Sequence, residues 1–247
     1  MAKGSKIIRL NQQIAKDDSE ILRLLQLSAQ RYDQYKGMLL MFIYRANKNA
    51  PYCAYEAYFG MENMMHLAGF KRRRILTSSP DKKYHHAHAS INARQFYERC
   101  LDGTLKLKEV RFSEDRKITS SKLDALPKLL QFDYVKIYQI GDADLIRLDN
   151  KFEIGLGNYN GIMGFDKRKS NSDYPVPVTV MDRSINDFVS NPQKVIAILM
   201  RKPEDEYYDT LISCVTKGLL ISDFPDDIRK KISPAFDGQL IMDKKKD

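Results

Sequence analysis

Three consecutive stretches decide the fold class: Gly37-Met-Leu-Leu-Met-Phe-Ile-Tyr44, Asn47-Lys-Asn-Ala-Pro51 and Tyr52-Cys-Ala-Tyr-Glu-Ala-Tyr-Phe59. The first is dense in apolar and aromatic residues, the second is turn chemistry, and the third alternates well enough for a strand. Together they read as a hairpin. Gly60 ends it. Met61-Glu-Asn-Met-Met-His-Leu-Ala68 then reads as a short helix closed by Gly69 at its C-cap.

Upstream, Ile7, Ile8, Leu10, Ile14, Ile21, Leu22, Leu24, Leu25 and Leu27 recur at three-to-four spacing, which predicts helix. Asp17-Asp-Ser-Glu20 fits the cap of a second helix over roughly 19–35, stopped by Gly37. Downstream, residues 71–87 are polar and basic and read as an exposed loop. Helix resumes near Ser90 and runs to about Leu101. Another helix covers Thr119–Leu130, with hydroxyl residues marking its start and Pro127 dividing it.

From Tyr134 the character changes. Val135–Ile140, Leu145–Leu148, Phe152–Gly157 and Gly161–Phe165 are short runs separated by Gly, Asp and Asn, which predicts an antiparallel meander. The prolines in Val176-Pro-Val-Thr-Val180 favour an edge or a non-strand segment. Lys194–Met200 reads as a buried strand, Asp223–Ile232 as a last short helix, and Lys244–Lys246 as a solvated tail. The fold class is therefore α+β: helices packed on a mostly antiparallel sheet. Residues 1–35 form an N-terminal helical arm ahead of a domain spanning 36–247.

The chain has 247 residues, 41 Lys+Arg against 32 Asp+Glu, and a net charge of +9. Such a length buries a core without staples. The longest apolar run, Gly37–Tyr44, is far shorter than the ~20 residues a spanning helix needs, so no membrane is expected as partner. The N-terminus lacks an apolar signal core. Cys53, Cys100 and Cys214 are odd in number and form no C-x-x-C pair, which argues against a disulfide framework or zinc finger and for a reducing cytoplasm. The basic balance invites a polyanion, although many proteins are mildly basic for solubility alone.

The motifs of phosphate-loop enzymes, dinucleotide-binding folds, zincins and α/β-hydrolases are missing. Gly155-Leu-Gly157 lacks the third glycine and the following helix. Four histidines are present: His66, His85, His86 and His88. The His85–His88 cluster has no neighbouring carboxylate or thiolate to complete a metal site, and reads equally as polar loop. No metal or cofactor is expected. His66 lies in an apolar context, so it is either a satisfied, half-buried side chain or a general acid/base. Lys71-Arg-Arg-Arg74 follows closely. Such a run is usually solvated, but opposite a phosphodiester it neutralises charge on the nonbridging oxygens. A ribonuclease without metal needs little more than a base for the 2′-OH, an acid for the leaving 5′-oxygen, and fixed cations.

Tyr55-Glu-Ala-Tyr-Phe-Gly-Met-Glu-Asn-Met-Met-His-Leu-Ala-Gly69 resembles the opening motif of a phage-associated nuclease-like family in the barnase–EndoU–colicin–RelE superfamily. There an Asn and a His-Leu-x-Gly element follow a strand. Ala93–Arg99, Lys122–Leu130, Gly155–Phe165 and Lys194–Leu199 with Tyr207 extend the likeness over about residues 38–212. The resemblance implies helices on an antiparallel sheet, with metal-independent endoribonuclease activity of a toxin or mobile-element kind. By position His66 matches the family's His, and Lys71 and Lys122 are candidates for phosphate contact. Thr179, Arg183 and Ser184 fall where polar residues flank the open face of the sheet, and Arg72, Arg73 and Arg74 are candidates for nucleic-acid binding. The expected partner is RNA or another nucleic acid. An inhibitor protein and self-association through the N-terminal helices are compatible additions. The competing reading is a non-catalytic basic module of the same fold that binds nucleic acid or protein.

Overall fold

The computed structural model describes residues 15–72, 91–134, 138–143, 152–167, 173–215 and 219–240. Arg73, Arg74, the His85–His88 cluster, residues 1–14, the expected strand at 145–148 and the lysine tail lie outside them.

The hairpin forms as read. Strand β1 (Leu39–Arg45) pairs antiparallel with β2 (Cys53–Tyr58), and the Asn47 side chain accepts from the amides of Asn49 and Ala50 in the turn. β1 is apolar along its length because both its faces are covered. Leu40 and Phe42 enter the main core, whereas Leu39, Met41 and Ile43 enter a second core on the other side of the sheet. That second core is closed by residues 219–240: the two-stranded β11 (Leu219–Leu220) and β12 (Gln239–Leu240), with a single α-helical turn (Asp226–Arg229) and two 3₁₀ turns between them.

The large sheet runs β2-β1-β9-β5-β6-β7-β8 and is antiparallel throughout. Its further strands are β5 (Gln139–Asp142), β6 (Ile154–Gly157), β7 (Ile162–Asp166), β8 (Val176–Met181) and β9 (Gln193–Arg201). On the side of β9 away from β1, β5 takes one end and β10 (Thr210–Cys214) the other. β8 is an edge strand, as its prolines predict. Pro177 sits opposite Phe165 at a register shift, where a missing ladder donor does least harm. The sheet curls enough that the Tyr58 amide, on the opposite edge, reaches the Pro175 carbonyl at 2.9 Å.

Four helices cover the main core: α1 (Asp18–Asp33), α2 (Asn63–Leu67), α3 (Ala93–Leu101) and α4 (Arg116–Leu129). α1 starts where the acidic run predicts, with Asp17 as N-cap, and buries Ile21, Leu24, Leu25, Ala29 and Tyr32. Two sequence expectations about α4 need correction. Its N-cap is Asp115, not a hydroxyl residue; Ser120 and Ser121 lie inside the helix and donate to carbonyls four residues back. Pro127 does not divide it, because the proline falls in the last turn and costs only one ladder bond. The expected loop at 71–87 begins instead as a strand: β3 (Phe70–Arg72) pairs with β4 (Val110–Phe112) in a separate two-stranded ribbon. Among the described residues no helix is long and apolar enough to cross a membrane.

Candidate functional site

Helix α2 is short, yet it is held from three sides. Met64, Met65 and Leu67 are buried, and the Tyr32 hydroxyl donates to the Gly60 carbonyl at 2.8 Å just ahead of it. α2 packs on α3 and on strand β8. Its 3.6-residue period leaves His66 exposed between buried neighbours. The imidazole therefore faces solvent, not hydrocarbon.

The chain turns sharply after the helix. Gly69 has φ +81°, the left-handed region that favours glycine. Its carbonyl accepts from the Ser113 amide at 2.9 Å and from the Thr119 hydroxyl at 3.3 Å. A Cβ on Gly69 would stand 3.1 Å from Thr119 Oγ1 and 3.3 Å from Lys122 Cδ. The Lys122 stem thus runs past the Gly69 α-carbon. Lys122 is only 8% exposed, and its ammonium meets Glu114 at 2.9 Å. Two residues after Gly69, the Lys71 ammonium donates to the Ser113 carbonyl at 3.1 Å. Helix end, ribbon and α4 so gather Lys71 and Lys122 around the glycine three residues past His66.

The other expected site residues are spread more widely. Thr179 lies on β8, the strand beneath α2, half-buried and opposite Gly164. Arg183 is exposed just beyond the end of β8. Its neighbour Asp182 lies close to Asp124 and Lys128 on α4; desolvation first, and the Asp124 carboxylate second, hold its carboxyl above the ordinary value. Ser184 accepts from the Asn186 amide at 3.3 Å and caps a 3₁₀ turn at Ile185–Asp187. Arg72 is exposed at the end of β3.

Sequence reasoning missed Ser113 and Glu114, which hold Lys71 and Lys122, and Thr119, which holds the Gly69 carbonyl. The signal was weak: Val110-Arg-Phe112 alternates buried, exposed and half-buried, but three residues are too few for a period to show. Among the described residues no three His, Cys, Asp or Glu side chains converge as metal ligands.

The profile of the phage-Barnase-EndoU-ColicinE5/D-RelE like nuclease4 family matches residues 24–215. No curated protein and no solved structure matches the chain. The match runs from inside α1 to the end of β10 and takes in the curled sheet, α2 with its histidine, the β3–β4 ribbon and α4. It leaves out the segment that closes the second core. The chain belongs to this family of phage-associated, nuclease-like proteins.

Proposed function

We propose that the protein is a metal-independent endoribonuclease in which His66 is the acid/base. The observation that carries this reading is an exposed imidazole on a firmly seated helix, with Lys71 and Lys122 fixed around the glycine that ends it. Membership of a nuclease family supports it.

In the proposed reaction a ribose 2′-oxygen attacks the adjacent phosphorus while its proton passes to a base. The P–O5′ bond breaks, and the leaving 5′-oxygen takes a proton. The products are a 2′,3′-cyclic phosphate and a 5′-hydroxyl end. His66 handles one or both protons, as imidazole chemistry near neutrality allows. Lys71 and Lys122 stabilise the charge growing on the nonbridging oxygens. Both are held by groups of the fold and do not have to reorganise as that charge appears. Thr179 on the adjoining strand and Arg183 beyond it are flanking contacts to the substrate, and Arg72 binds the neighbouring backbone.

The test is RNA cleavage in EDTA by the full chain and by a His66→Ala variant. The wild-type chain should yield cyclic-phosphate ends. The variant should lose about 10²- to 10⁴-fold in rate. It should stay folded, with a cooperative melt, because the side chain is exposed. Cleavage by the variant at the wild-type rate would remove His66 from the mechanism. Salt-sensitive RNA binding with no cleavage by the wild-type chain would favour the non-catalytic basic module that the +9 charge also fits.

A further inference from the structure

The β3–β4 ribbon carries a charge arrangement that folding does not require. In its register Lys71 stands directly across from Arg111, and Arg72 follows on the same strand. Like charges facing each other across a strand pair destabilise it. Lys71 finds some relief at the Ser113 carbonyl. Arg111 and Arg72 are exposed, and neither makes an ion pair among the described residues. The nearby carboxylates are already engaged. Glu109 is bound by Arg99, Glu114 by Lys122, Asp18 by Arg116, and Asp115 caps α4.

An open cleft of about 720 Å³ runs along this strand, lined by Lys108, Val110, Arg111, Phe112, Ser113 and Glu114. Its aromatic ring is already occupied. Phe112 packs on Phe70 with centroids 5.0 Å apart, and the Arg116 guanidinium lies over it at 5.8 Å. The cleft therefore offers cations and backbone but no unoccupied ring for a base to stack on, a lining suited to phosphates. At one end are Ser113 and Glu114, the residues that position Lys71 and Lys122.

We propose that the β3–β4 ribbon is a binding track for the phosphodiester backbone of an RNA strand, with Arg111 as its principal unassigned contact. A polyanion there relieves the Lys71–Arg111 repulsion. The proposal rests on the reading of His66 as the centre of RNA cleavage, since the track ends at the lysines gathered around Gly69, three residues past it.

The experiment uses the full chain carrying His66→Ala, so that RNA is bound and not consumed, and adds Arg111→Thr or Arg111→Glu. A control, Lys230→Thr, removes one exposed positive charge elsewhere. The probe is a labelled single-stranded RNA of mixed sequence, titrated over a range of salt. RNA affinity should fall several-fold with threonine and further with glutamate. The salt slope should drop by about 0.7 for the lost phosphate contact. The control should change affinity less than either. Melting temperature at low salt should hold or rise in the same order, because the like-charge pair is removed and then inverted.

Loss of affinity without loss of Tm sustains the track. Unchanged affinity in both Arg111 variants overturns it, as does a fall in Tm that parallels the loss of binding. If the wild-type chain binds RNA through Arg111 but never cuts it, the nuclease reading fails and the track stands. If it cuts RNA while the Arg111 variants bind normally, the track alone fails.

Discussion

At the scale of single residues, two glycines separate backbone strain from packing. Gly37 and Gly69 both have positive φ, +77° and +81°. A Cβ on Gly37 would meet nothing within 4 Å, whereas on Gly69 it would press on Thr119 and Lys122. Gly37→Ala should therefore cost only the left-handed conformation, about 1–2 kcal/mol. Gly69→Ala should cost more, because α4 must also yield. By displacing Lys122 it should slow RNA cleavage, which Gly37→Ala should leave alone. Thermal melts and cleavage rates of the two variants side by side check both halves. His66 is exposed on α2, so its replacement by alanine should cost less in a melt than Gly69→Ala. Lys122 is the opposite case: a cation 8% exposed, legible in sequence only as one more lysine on a helix.

At the scale of elements, capping decides where helices begin. α3 opens on a full capping box. The Asn92 side chain accepts from the Gln95 amide at 2.8 Å, and Gln95 accepts from the Asn92 amide at 3.0 Å. Asn92→Ala should lower stability by about 0.5–2 kcal/mol, read as a shift in the denaturant midpoint with an unchanged slope. Exchange protection should fall first in the opening turn of α3. α4 shows why hydroxyl residues misled the reading of its start. Thr119, Ser120 and Ser121 are good caps by type, but their hydroxyls bond inside the structure, to Gly69 and to the preceding turn. The real cap, Asp115, stands four residues earlier. The ribbon is not legible in sequence for a different reason: β3 and β4 have three residues each, and their pairing joins segments about forty residues apart.

Across the whole molecule the aromatic core sets the alkaline limit of stability. Tyr32, Tyr35 and Tyr138 are buried among Phe59 and Phe132. Burial, with a smaller push from Asp133, raises the Tyr35 phenol to about 12, and burial raises Tyr32 and Tyr138 as well. Between the ordinary tyrosine value near 10 and the raised one, the folded chain keeps a proton that the unfolded chain has lost. The unfolded state then binds fewer protons, and stability falls as pH rises through that window. These buried tyrosines should ionise only together with loss of tertiary structure, seen as a phenolate absorbance step that coincides with the near-ultraviolet circular dichroism transition.

Local patterning is enough to set the hairpin, helix α1, the short histidine helix with its glycine stop, and the antiparallel character of the second half. Each rests on local rules, namely strand alternation, turn chemistry, caps and the left-handed freedom of glycine, which act within a few residues. Long-range packing alone makes β9 pair on both sides and lays residues 219–240 over the outer face of β1. It alone brought Lys71 and Lys122 to the same glycine. Those facts depend on contacts between segments tens to hundreds of residues apart, and no local pattern encodes such distances. The polar groups that hold the lysines, Ser113 and Glu114, become meaningful only when β4 is laid against β3.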